Sequence, residues 1–158
     1  MDQKERDKLI AQYRDGYAAI AEALLKITDE ELAARPGPGK WSVREIVHHL
    51  ADSEMTAAVR LRLLLAVDRP VISGYDQDTF AARLHYDRPH EASLSAFRYA
   101  RECTAQLLEC LSEEDWLREG THSESGAYSV SRWLEIYSAH AHSHARQIVE
   151  AVGTAKAK

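Results

Sequence analysis

The stretch WSVREIVHHLADSEMTAAVRLRLLLAV (residues 41–67) has the clearest helical pattern in the chain. Glu45 follows Ser42 by three residues, and this spacing is typical of a capping box at a helix N-terminus. Apolar residues then recur every three or four positions, with Ile46 and Leu50 on one face. The stretch therefore predicts a long amphipathic helix that begins after Ser42 and continues to about residue 67.

The rest of the chain shows the same helical periodicity, and alternating strand patterns are nearly absent. Three further long helices are predicted, over residues 4–26, 92–111 and 129–153. Short helical inserts are predicted after Thr28 and Ser112, and a long crossover with one helical turn is predicted over residues 68–91. These elements predict an all-α fold in a single domain (residues 1–158). We expect a four-helix bundle with a long crossover between helices 2 and 3 and short helical inserts.

The composition is that of an ordinary globular domain: of the 158 residues, 45% are hydrophobic and 28% are charged. The 20 basic and 25 acidic residues give a formal charge of −5, which argues against nucleic-acid binding through bulk positive charge. No apolar stretch is long enough to span a bilayer, and MDQKERDKLI at the start lacks the apolar core of a signal peptide. We therefore expect a soluble cytoplasmic protein with no nucleic-acid partner and no membrane partner.

The chain has eight histidines, and helical geometry separates them into groups. Because an α-helix turns about 100° per residue, each histidine can be placed relative to the apolar face of its helix. Three are predicted to face inward, namely His49, His140 and His144. Two are predicted to point outward, namely His48 and His142. The other three fall in predicted loops, namely His85, His90 and His122.

The inward histidines have the spacing of a metal site. His140 and His144 are separated by four residues, which places two imidazoles on one ion, and His49 on a facing helix would supply a third nitrogen. Three ligands would leave positions open for water, as in catalytic rather than structural sites. The alternative is that these are core histidines with ordinary hydrogen-bond partners. Periodicity by itself leaves both interpretations open.

Several polar residues could assist such a site. Asp52 and Glu45, three residues after and four residues before His49, could orient its ring or be plain surface acids. His122 is a candidate for the rim of a pocket because it comes just before the last helix. Arg60 falls on the same side as His49 and could face an anionic substrate group or pair with a neighbouring acid.

Four segments together resemble the DinB/YfiT-like superfamily, and most closely its YfiT-type branch of metal-dependent hydrolases. They are KWSVREIVHHLADSE (40–54), VRLRL (59–63), RPVISGYDQDTFA (69–81) and YSAHAHSHARQI (137–148). In that family a four-helix bundle holds a metal ion through three histidines, which match His49, His140 and His144 here. Members of the branch often have histidines at two further positions, which are Glu54 and Ser143 in this chain.

The resemblance implies a metal-dependent hydrolase that uses a metal-activated water on a small-molecule substrate, in a protein that forms a homodimer. Zinc or nickel is the expected divalent metal, with iron(II) or manganese as alternatives. The reaction would need a nearby group for proton transfer, and Asp52, Glu45 and His122 are the catalytic candidates.

Two other functions fit the sequence. The superfamily includes proteins that resemble metal-dependent thiol transferases and thiol-dependent isomerases, in which a metal stabilises the thiolate of a small cofactor. In a non-catalytic interaction bundle, a fourth protein ligand would close the metal site. Exposed aromatic residues would then form an interface, and the candidates are Tyr75, Tyr86 and Tyr99.

Overall fold

The computed structural model describes residues 1–156, and its four long helices confirm the predicted bundle. The helices are α1 (Gln3–Ala23), α2 (Asp29–Ala33), α3 (Val43–Ala66), α4 (Gln77–Arg83), α5 (Glu91–Leu108), α6 (Glu113–Trp116) and α7 (Val130–Lys156). Among the long helices, α1 packs against α5 and α7, and α3 packs against the same two. Each long helix therefore has two long neighbours, as in a four-helix bundle.

The helices with capping signals begin where the sequence predicts them. Capping boxes start α2, α3 and α6, with Thr28, Ser42 and Ser112 as the N-caps. The crossover between α3 and α5 contains α4, whose N-cap Asp76 accepts a hydrogen bond from the backbone of Thr79 at 2.8 Å. Local capping chemistry therefore sets where these helices begin.

A small sheet corrects the prediction that strands are nearly absent. Its strands are β1 (Val71–Ile72), β2 (Glu119–His122) and β3 (Gly126–Ser129). β1 pairs in parallel with β2, and β2 pairs in antiparallel with β3. Strands of two to four residues are too short to show an alternating pattern. The sheet joins the crossover to the segment before α7, and it places His122 in a strand rather than in a loop.

The prediction that His48 points outward is wrong, because α3 is covered on both sides. The His48 side chain is fully buried. Its Nε2 donates to the carbonyl of Arg88 (3.0 Å), and its Nδ1 accepts from the hydroxyl of Ser93 (2.8 Å). The prediction that His142 points outward also fails. Its side chain is half-buried because α7 packs against α1, and its Nε2 donates to the carbonyl of Gln12 at 2.9 Å.

The core lies between the four long helices in two apolar clusters. One surrounds Trp133 and Leu61, and the other surrounds Leu50 and Phe97. The second cluster includes Ala141 and therefore adjoins the inward histidines of α3 and α7. None of the helices in residues 1–156 is long and apolar enough to cross a membrane.

Candidate metal centre

Three histidine side chains converge between α3 and α7, and we call His49, His140 and His144 the triad. The Nε2 atom of His140 lies 3.4 Å from Nε2 of His49 and 3.1 Å from Nε2 of His144. One ring nitrogen from each residue falls within 4.8 Å of the other two. In the described residues this is the only group of three or more histidine, cysteine or acidic side chains close enough to hold one ion.

Helix geometry produces this convergence. His140 and His144 lie one turn apart on α7, and their rings are 4.5 Å apart at an angle of 81°. His49 comes from α3, about two turns after the Ser42 cap that starts the helix. The indole of Trp41, just before that cap, packs at 4.8 Å from the His49 ring. Capping and helix packing therefore fix three imidazoles from two helices around one point.

Burial keeps the triad in its neutral form. Burial, followed by the nearby His144, lowers the pKa of His49 to about 3 and that of His140 to about 2. The pKa of His144 is also lowered, again by burial. Three neutral imidazoles facing one another present lone pairs, which a metal ion requires of its ligands.

The second nitrogens of the triad have different environments. Nδ1 of His144 donates to the side-chain carbonyl of Gln147 at 2.8 Å, which leaves Nε2 with the lone pair. Sequence reasoning missed Gln147, although its position one turn after His144 on the same helix could have pointed to it. Nδ1 of His49 is buried and has no partner in the described part of the chain.

Of the two interpretations left open for Glu45 and Asp52, orienting the His49 ring is not what the structure shows, because Nδ1 of His49 bonds to neither. Both oxygens of Glu45 are engaged, because one accepts from the backbone of Ser42 (2.7 Å) and the other pairs with Arg35. Asp52 Oδ2 accepts the phenol hydrogen of Tyr86 at 2.6 Å. Glu45 therefore caps the start of α3, and Tyr86 of the crossover orients Asp52.

A cleft of about 270 Å³ opens beside the triad at His144. It is lined by Gly39, Lys40, Trp41, Gln77, Asp78, His144 and Gln147. Gln77 and Asp78 belong to the first turn of α4, so the crossover forms one wall of the cleft, as its length suggested. The cleft therefore reaches His144 of the triad between α4, α7 and the loop before α3.

The remaining candidates, His122 and Arg60, do not belong to the triad. His122 is buried in the sheet, where its Nδ1 accepts from the backbone of Glu124 (3.3 Å) and its ring packs at 5.3 Å from Tyr128. Arg60 is buried on α3 and donates to the hydroxyl of Tyr137 at 3.1 Å. Sequence reasoning missed Tyr137 as a neighbour of the site, and its ring centroid lies 6.1 Å from that of His140.

The proposed aromatic interface is largely absent. Tyr86 is only 2% exposed, and Tyr75 is half-buried with its ring 4.4 Å from that of Phe80. Of the three candidates, Tyr99 alone is well exposed, at 61%. The crossover folds back onto α3 and covers the other two, which a helical wheel cannot show.

A buried ion pair lies beside the metal centre, and sequence reasoning missed it. Glu54 accepts from Arg101 and from the hydroxyl of Tyr13, and both members of the ion pair are 1% exposed. Arg101 also donates to the backbone carbonyls of Tyr13 (2.6 Å) and Tyr137 (2.9 Å). One side chain of α5 therefore contacts all three other long helices. The burial of Arg101 could have been predicted, because Arg101 lies one turn after Phe97 on the inward face of α5.

Comparison with known proteins agrees with this architecture. Residues 12–148 match the profile of the DinB superfamily. A protein of Oceanobacillus iheyensis, provisionally named a metal-dependent hydrolase, is 35% identical over 129 residues, which are 82% of this chain and 75% of the relative. YfiT of Bacillus subtilis, which carries the same provisional name, is 27% identical over 95% of this chain and 85% of its own length.

The structure of YfiT from Bacillus subtilis superimposes with a TM-score of 0.89, covering 96% of this chain and 87% of that one at 27% identity. YfiT is described there as "a probable metal-dependent hydrolase with an unusual four-helix bundle topology". The profile match and the 35% identical relative each extend over most of the chain. This protein belongs to the DinB superfamily.

Proposed function

We propose that this protein is a metal-dependent hydrolase of small molecules, with a divalent ion held by the triad. The convergence of the three nitrogens carries the proposal. A tetrahedral ion with bonds of about 2.0–2.1 Å to nitrogen requires its ligand atoms to be about 3.3 Å apart. The two Nε2 separations that involve His140, 3.4 Å and 3.1 Å, fit that requirement, and all three ligand atoms lie within 4.8 Å of one another.

In this scheme the residues of this chain bind the ion and orient its ligands. His49, His140 and His144 would hold the ion, Gln147 fixes the tautomer of His144, and Trp41 packs against His49. When bound, the ion supplies electrophilic assistance and lowers the pKa of a water molecule towards neutrality. The described residues bring three ligands together rather than four, beside an open cleft, which favours a catalytic site over a closed structural one.

We assign proton transfer to Asp52 among the three candidates. Asp52 lies one turn after His49 and is only half-buried, and one of its oxygens has no hydrogen-bond partner in the described chain. Tyr86 holds the other oxygen and fixes the carboxylate. Glu45 has both oxygens engaged at the α3 cap, and His122 is bonded within the sheet, so both are less available.

Zinc or nickel is the metal that we propose, because an all-imidazole ligand set suits these ions. Iron(II) accepts the same ligands, and manganese is a weaker alternative because it prefers oxygen donors. Elemental analysis of the purified protein distinguishes these metals directly.

We also propose that the protein is a homodimer in the cytoplasm. Met55, Val59 and Leu63 form an exposed apolar stripe at four-residue spacing on α3, with 37–57% of each residue accessible, which a second copy could cover. Cys103 and Cys110 are free and exposed, which suits a reducing compartment. Light scattering coupled to gel filtration tests the dimer, and cell fractionation tests the location.

Metal content tests the proposed function. Wild-type protein should contain about one equivalent of a divalent metal, and the substitutions His49→Ala, His140→Ala and His144→Ala should each reduce that content at least about tenfold. His142→Ala is the matched control, because His142 lies between two triad members on α7 but donates to α1 instead. Unchanged metal content in the three triad variants would refute the site.

Activity assays test the reaction class. The metal-loaded protein should hydrolyse members of a panel of esters, amides and phosphoesters, and both chelation and His140→Ala should abolish the turnover. Metal-dependent conjugation of a small thiol to an electrophile, without hydrolysis, would instead identify the thiol transferase alternative.

A further inference from the structure

Arg60 differs from the other buried arginines of the described chain. Arg6 and Arg101 are also buried, and each pairs with a carboxylate, Glu113 for the first and Glu54 for the second. Arg60 is only 9% exposed, yet no Asp or Glu oxygen of residues 1–156 lies within ion-pair distance of it. A buried guanidinium without an anion is costly, so an anionic partner from outside the fold would stabilise it.

The contacts of Arg60 are all neutral. One terminal nitrogen donates to the hydroxyl of Tyr137 (3.1 Å), and the other donates to the carbonyl of Ser73 (2.7 Å). The ring of Tyr75 lies 5.7 Å from the guanidinium carbon, and Nε has no partner. Since a guanidinium carries five N–H groups, these two hydrogen bonds leave donors for a further acceptor.

Two acidic side chains of the same region do not pair with Arg60. Asp52 accepts the hydroxyl of Tyr86 and is close enough to Tyr75 to affect its ionisation. Glu124 lies against Gly74, where an added Cβ would meet its carboxylate. Neither forms an ion pair with Arg60, so the positive charge of Arg60 has no matching carboxylate at ion-pair distance within the described chain.

Two connections link Arg60 to the metal centre. Tyr137, its hydrogen-bond partner, comes one turn before His140 on α7. Residues 73–78 contact Arg60 through Ser73 and Tyr75 and line the cleft beside His144 through Asp78. The three residue steps from Tyr75 to Asp78 span at most about 11 Å, so one short segment contacts Arg60 and forms part of the cleft wall.

We propose that Arg60 binds an anionic group of the substrate, a carboxylate or a phosphate, while the bond to be cleaved lies at the triad. The proposal rests on the proposed function and deepens it, because it restricts the substrates to small anionic molecules. A guanidinium binds two oxygens of such a group through parallel hydrogen bonds, a geometry that a lysine cannot reproduce. Arg60 would thus hold and orient the substrate without taking part in the bond cleavage.

Anion titration of the chelator-treated protein tests this inference without turnover. Inorganic phosphate and acetate are added separately at constant ionic strength, and the Nε–Hε NMR signal of Arg60 is followed. We expect a saturable shift with at least one anion. The anion that causes the shift indicates whether the substrate group is a phosphate or a carboxylate. Arg60→Met should weaken binding about tenfold or more, and Arg60→Lys should give an intermediate affinity.

Arg118→Met is the matched control, because Arg118 also donates only to neutral acceptors, the carbonyls of Leu64 (2.8 Å) and Val67 (3.1 Å). This variant should bind the anions like the wild type. The inference is overturned if the Arg60 signal moves no more than that of Arg118, or if Arg60→Lys and Arg60→Met bind both anions like the wild type. Metal analysis of each protein as purified, before chelation, separates the two proposals: normal metal without anion binding refutes only the role of Arg60, and anion binding by a protein purified without metal refutes only the hydrolase.

Discussion

The ion pair between Glu54 and Arg101 gives a sharp stability prediction. Each side chain is 1% exposed, and Arg101 also donates to the carbonyls of Tyr13 and Tyr137. The Arg101→Met substitution keeps an unbranched side chain and removes the charge together with these hydrogen bonds. It leaves the carboxylate of Glu54 in the bundle interior without its cation.

The expected loss follows from the burial of the pair. Removing one partner of a buried ion pair costs about 3–5 kcal/mol, so Arg101→Met should lower the free energy of unfolding by about that amount at pH 7. Burial raises the pKa of Glu54, and Arg101 and Tyr13 oppose that rise. Without Arg101 the pKa of Glu54 rises further above its unfolded value. The folded variant then binds a proton more readily than the unfolded chain, so the loss should shrink as the pH falls from 7 to 5.

Urea denaturation followed by circular dichroism measures this loss at both pH values. The double variant Glu54→Gln with Arg101→Met has no unpaired charge and should be more stable than Arg101→Met alone. A loss below about 1 kcal/mol would be typical of an exposed pair and would refute the reasoning. A double variant no more stable than Arg101→Met would also refute it.

Three further predictions concern pH, packing and capping. From pH 7 to 5 the metal-free protein should lose about 1–2 kcal/mol of its unfolding free energy through His140. The reason is that this imidazole binds a proton in the unfolded chain at a pH where burial keeps it neutral in the folded protein. His140→Ala should reduce this loss in thermal melts. Gly16→Ala should destabilise the folded protein by about 1–3 kcal/mol, since the added Cβ would lie 2.7 Å from Arg101. Gly153→Ala is the control in the same melts, because its position is open, and it should be neutral or stabilising. Ser42→Ala should cost about 1 kcal/mol in urea denaturation, because the N-cap of α3 is lost, and an unchanged midpoint would contradict that role.

Much of the fold could be predicted because helices leave local signals. The capping boxes at Thr28, Ser42 and Ser112 and the three-to-four periodicity place the helices within a few residues of their observed ends. The sheet could not be predicted, since β1 has two residues and pairs with β2, about 50 positions along the chain. Such pairing depends on where the crossover folds, which no local pattern specifies.

The triad could be predicted because its members lie on the inward faces of two long helices. His48 was misplaced because a single apolar stripe assumes one covered side, and α3 has two. The partners of Glu45 and Asp52 were missed for another reason. These partners are Arg35 and Tyr86. Both lie in segments without helical periodicity, so their positions depend on tertiary packing.

The binding of one metal ion by the triad is the central claim, and a crystal structure of the metal-loaded protein with anomalous data at the metal edge tests it most directly. We expect a single ion about 2.0–2.1 Å from the Nε2 atoms of His49, His140 and His144, with its remaining position facing the cleft. An ion bound elsewhere, or a fourth protein ligand that closes the coordination sphere, would contradict the claim.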